Sequence, residues 1–262
     1  MLKTERMDRV RAALRAQGLT QMIVCDPKSV WYLTGVAVEP YERLLALYLP
    51  TEGEPALFLN RLFNVPEPPC RTVWHTDTDK PVAQIAEVVD AGKPLGIDKE
   101  WPTKFLIPLM ETHPGMQVVL SSDCVDGCRA CKDAEEQALM REASRINDAV
   151  NEAAKHYIKA GMTEREVAEF IDAQFRAHGC EGPSFTTIVS FGANAADPHH
   201  EPDDTVLKEG DCVLFDMGCV KSRYCSDMTR TWFCGQPTEK QAVVHDLVRR
   251  ANEAAEALIK PG

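Results

Sequence analysis

The segment from Asp211 to Phe233 carries two carboxylates, Asp216 and Asp227, on either side of the polar stretch Lys221-Ser222-Arg223. A β-hairpin turning at Lys221-Ser222 pairs Leu214 with Thr229 and Asp216 with Asp227. Val213, Phe215, Met217, Met228 and Trp232 then share the opposite face, which reads as a core face. Two carboxylates directly opposite each other repel, and partial burial makes both resist ionisation. A shared proton, a neighbouring Arg or Lys, or a bound divalent cation would relieve this. Two metals bridged by carboxylates suit such a pair, because hard cations prefer oxygen ligands. An offset turn would instead leave both Asp residues at exposed loop ends.

His199 and His200 lie just upstream, in the loop phrase Gly192-Ala-Asn-Ala-Ala-Asp-Pro-His-His. Histidines on such a loop can hydrogen-bond a substrate, transfer a proton or ligate a metal, or simply form a solvated pair. Asp197, Glu201, Asp203, Asp204, Glu209 and Asp211 surround them, which fits a cation-loving site or an acidic surface. Cys124, Cys128 and Cys131 have the spacing of a radical-type iron–sulfur motif. Their context argues against a cluster: they fall on a linker and helix start in mid-chain, and the other seven cysteines are scattered.

The elements that must position these residues are legible in outline. Met7, Val10 and Leu14 give a first helix that Thr4 can cap and Gly18 can end. Leu19–Cys25 reads as a buried strand stopped by Asp26-Pro27. Leu44–Leu49 and Ala56–Leu59 read as a hairpin, and helix/strand alternation continues through Pro81–Ala91, Leu95–Asp98, Lys104–Thr112 and Gln117–Leu120. The alternation then gives way, between 122 and 134, to a long helix. Asp133 with Glu136 forms a capping box, and Ala143, Ile146, Val150, Ala153 and Tyr157 form an apolar stripe. Thr163 with Glu166 opens a second helix bearing Val167, Phe170, Ile171 and Phe175. Strands follow at Phe185–Phe191, Cys212–Gly218 and Tyr224–Phe233. Thr238 with Gln241 opens a last helix bearing Val244, Leu247, Val248, Ala251 and Leu258. The matched exits Ile158-Lys-Ala-Gly161 and Ile259-Lys-Pro-Gly262 suggest a duplicated unit whose second copy has barely begun.

Composition narrows the class. The 262 residues are 44% hydrophobic and 26% charged, with a net charge of −11. That balance excludes disordered and fibrous classes. The acidic excess argues against nucleic acid as a partner. No apolar run approaches the ~20 residues of a membrane span, and ten cysteines without a signal-like N-terminus point to a reducing cytoplasm.

At these residues the chain resembles the pita-bread metallopeptidase family, which comprises Xaa-Pro aminopeptidases, prolidases and creatinases. The matching phrases are Pro198-His199, Gly210-Asp-Cys-Val-Leu-Phe-Asp-Met-Gly218 and Tyr224-Cys-Ser-Asp-Met-Thr-Arg-Thr231. Arg129–Glu136, Gly161–Glu164 and Val30–Gly35 are also similar. The resemblance implies an α/β N-terminal creatinase-like domain at 1–125, followed at 130–262 by a partial α+β pita-bread domain.

By the same resemblance Asp216 is a bidentate ligand of one metal, and Asp227 bridges two. His199 hydrogen-bonds the substrate or the tetrahedral intermediate, and His200 and Tyr224 contact the substrate. The implied cofactor is a pair of divalent cations, Mn²⁺ first, with Co²⁺ or Zn²⁺ as alternatives. The implied substrate is a peptide with proline at the second position, and the implied assembly is a homodimer. The family completes a five-ligand site with a His in a Gly-His-Gly phrase and two Glu residues. No Gly-His-Gly occurs in these residues, so the expectation is a chain truncated within the catalytic domain and inactive alone. Creatinase-like C–N hydrolysis of a non-peptide, or a non-catalytic paralogue acting through dimerisation, are the alternatives.

Overall fold

A strand buried at every position needs cover on both faces, and Gln21–Val24 (β1) has it. Met22 and Val24 enter one core with Met7, Val10 and Leu14, whereas Ile23 enters another with Phe58, Ile85 and Leu109. The computed structural model describes residues 3–261. It divides into two compact units, Met1–Lys132 and Asp133–Gly262.

The first unit is a six-stranded mixed sheet sandwiched between helices. Its strands are β1, Ala46–Pro50 (β2), Ala56–Asn60 (β3), Arg71–His75 (β4), Leu95–Ile97 (β5) and Val118–Leu120 (β6), in the order β4-β3-β2-β1-β5-β6. β2 and β3 pair antiparallel, as the Pro-Thr-Glu-Gly-Glu-Pro punctuation between them predicts. The helices are Thr4–Ala16 (α1), Pro27–Thr34 (α2), Pro81–Ala86 (α3), Thr103–Thr112 (α4) and Ser122–Ala130 (α5).

Three sequence expectations need correction here. Thr4 is already inside α1, which starts without a side-chain cap. Asp26-Pro27 does more than stop a strand: Asp26 accepts from the backbone N–H groups of Lys28 and Ser29, and Pro27 occupies the first turn, so together they start α2. Cys124, Cys128 and Cys131, expected on a linker and helix start, instead lie on α5 or at its C-cap in the first unit, whose end at Lys132 falls within the expected range of 122–134. Cys124 is buried in the core on that helix and Cys128 packs against the same core.

The second unit begins with two long helices, Ala134–Tyr157 (α6) and Glu164–Ala177 (α7). Both start with the expected capping boxes, Asp133 with Glu136 and Thr163 with Glu166. Their apolar stripes meet over a sheet of Ile188–Phe191 (β8), Cys212–Met217 (β9) and Met228–Phe233 (β12), ordered β12-β9-β8. A second small sheet joins Gly182–Pro183 (β7), Cys219–Lys221 (β10) and Tyr224–Cys225 (β11). The expected strand Tyr224–Phe233 is therefore two strands, interrupted at Ser226-Asp227.

The last helix, Glu239–Glu256 (α8), carries the third capping box, Thr238 with Gln241. Its apolar residues Val243, Val244, Leu247 and Val248 are more than half exposed and have no cover among the described residues. Gly262, the end of the second exit phrase, lies outside the described residues. No helix among them is long and apolar enough to cross a membrane.

Candidate metal centre

The hairpin turns one residue later than the sequence reading places it. Ser222 and Arg223 both adopt positive φ, 49° and 68°, between the paired residues Lys221 and Tyr224. This is the two-residue turn geometry that matches the twist of the flanking strands. β9 and β12 follow the same register, so Asp216 stands opposite Thr229 and Leu214 opposite Thr231. The expected direct pairing of Asp216 with Asp227 is thus corrected by two positions. A two-residue slip preserves the side-chain alternation. Val213, Phe215 and Met217 accordingly fill the core, with Met228 and Trp232 packed on it.

Backbone close approach fixes the interruption beside Asp227. A Cβ on Gly218 would lie 2.0 Å from the Ser226 carbonyl oxygen and 2.3 Å from Ser184 Oγ, so only glycine fits. Ser226 is held on all sides. Its N–H donates to the Cys219 carbonyl, its Oγ accepts from the Cys219 N–H at 3.0 Å, and its carbonyl accepts from Ser184 Oγ at 2.8 Å. Asp227 follows it in an exposed position. On the other side Asn147, buried in α6, donates to the Met217 carbonyl at 3.0 Å and anchors the end of the Asp216 strand.

Asp216 is half-buried, on the sheet face opposite the core, between Ile188 of β8 and Thr229 of β12. Its Oδ1 is sealed from solvent and has no hydrogen-bond partner. A buried carboxylate oxygen without a donor is costly. A divalent cation would satisfy it, so this residue fits a metal ligand.

The two histidines separate. His199 is exposed, and its N–H donates to Asp197 Oδ1 at 2.9 Å. His200 turns inward, and its Nε2 lies 2.7 Å from the buried carboxylate of Glu164, which makes that nitrogen the donor. Tyr224 donates its hydroxyl to Glu136 Oε1 at 2.8 Å. Protein partners thus engage the polar ends of both His200 and Tyr224.

Glu164, His200 and Asp203 bring ligand atoms within 4.8 Å of one another. The Glu164 carboxylate, however, already accepts from Phe191 N, Asn194 Nδ2, His200 Nε2 and Asp203 N. Four donors fill its lone pairs, so this cluster is a hydrogen-bonded pin rather than an open site. Glu164, Asn147 and Ser226 were not singled out from the sequence. Glu164 did appear there, as the last residue of the phrase Gly161–Glu164.

Matches to known proteins agree with this architecture. Residues 6–131 match the creatinase/prolidase N-terminal domain, and residues 138–262 match metallopeptidase family M24. An uncharacterized peptidase of Staphylococcus aureus is 34% identical over 248 residues, covering 91% of this chain and 69% of its own length. One from Staphylococcus epidermidis is 30% identical over 257 residues, covering 97% and 73%. The crystal structure of a prolidase from Thermococcus sibiricus superimposes with a TM-score of 0.88 at 29% identity, over 100% of this chain and 74% of that one. Dipeptidase PepE from Mycobacterium ulcerans gives 0.88 at 30%, over 96% and 70%. The chain belongs to the M24 metallopeptidase family, a family of metal-dependent hydrolases, with a creatinase-type N-terminal domain ahead of the M24 domain.

Proposed function

We propose that the second unit carries part of a dinuclear metal site that hydrolyses the amide bond next to proline. The orphaned, buried Asp216 Oδ1 carries this reading, and the prolidase and dipeptidase likenesses support its substrate class. Asp216 and Asp227 would hold divalent cations, which when bound supply Lewis-acid polarisation of the carbonyl and acidified water. His199, free at the loop surface, donates a hydrogen bond to the substrate oxygen as it gains charge. Asp216, set in a sheet and backed by Asn147, contributes a pre-oriented ligand.

Mn²⁺ is the proposed metal and a peptide with proline at the second position the proposed substrate. A homodimer in a reducing cytoplasm is the proposed setting, which the abundant free cysteines suit. A polypeptide of these 262 residues, offering two of five ligands, binds Mn²⁺ weakly and does not cleave peptides by itself. Calorimetry with Mn²⁺ and an Xaa-Pro hydrolysis assay on the same preparation test this. Tight binding of two ions, or hydrolysis abolished by Asp227→Ala, would overturn the inactivity. Absence of any Asp216-dependent Mn²⁺ binding would overturn the site.

A second reading rests on α8. Its exposed stripe of Val243, Val244, Leu247 and Val248 is a surface for association with other polypeptide. On that reading activity, or a non-catalytic role, depends on what joins it. Hydrolysis that rises with chain concentration would favour association.

A further inference from the structure

Beyond Phe191, which is buried in the core, the loop to Asp203 has no apolar anchor: from Gly192 to Val206 no residue is buried. It leaves β8, whose Ile188 pairs with Asp216, and its 3₁₀ turn, Gly192–Ala196, ends shortly before His199. One buried side chain bonds along the loop's length, and at its far end the Arg165 N–H also donates to the Asp203 carbonyl at 3.1 Å. Glu164, the first residue of α7, has a side chain that is 0% exposed. Its Oε1 accepts from the Phe191 N–H at 2.7 Å and from Asn194 Nδ2 at 3.0 Å. Its Oε2 accepts from His200 Nε2 at 2.7 Å and from the Asp203 N–H at 3.2 Å. The donors come from the start, the middle and the end of the loop, and one of them adjoins His199.

We propose that Glu164 is a positioning residue for the reaction, acting through this loop to fix His199 relative to Asp216. The inference rests on the metal-site reading given above. Helix integrity does not require Glu164, because Thr163 and Glu166 cap α7 reciprocally. The carboxylate is spent entirely outward, on the loop. Charge-assisted bonds made in a water-excluded place are the strong kind. An amide at this position can accept from only one side and turns donors toward the His200 and Asp203 donors.

The test uses the 262-residue chain, the Glu164→Gln variant, and Mn²⁺ as paramagnetic probe. In the parent chain, Mn²⁺ held at Asp216 broadens the imidazole proton resonances of His199. In E164Q the ion binds with unchanged affinity, but the His199 broadening falls by about tenfold, and so does amide protection at Asp203. Protection at Val189 and Leu214 stays as it was. Unchanged His199 broadening in E164Q overturns the proposal. Loss of protection spread equally over β8 and β9 also overturns it, since Glu164 would then serve the fold alone. If E164Q does not fold, Asn194→Ala and His200→Ala each remove one donor and must each weaken the His199 broadening. No broadening of His199 in the parent chain, even at saturating Mn²⁺, would sink the metal-site reading itself and is thereby told apart.

Discussion

Asp216 faces Thr229 across the β9–β12 ladder, two positions away from the pairing with Asp227 that a turn at Lys221-Ser222 would impose. The two carboxylates are therefore staggered rather than opposed, which lowers their repulsion. Asp216 is half-buried and Asp227 exposed, a geometry suited to one inner and one outer ligand.

Neutralising Asp216 separates stability from metal binding. Asp216→Asn places a neutral amide where an uncompensated carboxylate oxygen is buried. In metal-free buffer it is expected to stabilise the second unit by about 1 kcal/mol. The same change abolishes any rise in Tm on adding Mn²⁺. A thermal melt with and without Mn²⁺ checks both signs.

Gly218 permits the close approach of the Ser226 carbonyl. Gly218→Ala forces the strands apart beside both carboxylates and is expected to cost about 3 kcal/mol or more. Urea unfolding followed by circular dichroism would register it. A variant as stable as the parent would refute the contact.

Tyr224 spends its hydroxyl on the buried Glu136. Tyr224→Phe is expected to lower stability by about 1.5–3 kcal/mol, the range for a hydrogen bond to a charged group. Mn²⁺ affinity should not change. A loss of ligand affinity without loss of stability would return Tyr224 to the substrate.

Cys180 has its pKa pushed up to about 12, first by burial and then by the neighbouring Cys219 thiol. A folded value above the unfolded one of about 8.5 means that folding stability from this group is complete below that pH. It is lost as pH rises from there toward 12. Alkylation near pH 8 should therefore label the exposed Cys131 and Cys225 well before Cys180. Mass spectrometry of partially alkylated protein gives the order.

The sequence by itself determined the starts of α6, α7 and α8 and the core faces of the hairpin and of α7. The capping boxes of α6, α7 and α8 involve groups three residues apart, and the stripe Val167-Ile171-Phe175 follows the helical period, so both are local and readable. Even the mistaken hairpin register kept every side chain on its expected face, because alternation survives a slip of two. Tertiary structure alone decided where the hairpin turns. Ser222 and Arg223 are not residues that advertise positive φ, and the turn sits there because Gly218 lets Ser226 dock against β10. It also decided what Glu164 does. Its donors arrive from Phe191, Asn194, His200 and Asp203, the nearest of them 27 residues along the chain. No local pattern reveals a buried carboxylate whose partners are assembled only when the loop folds back over α7.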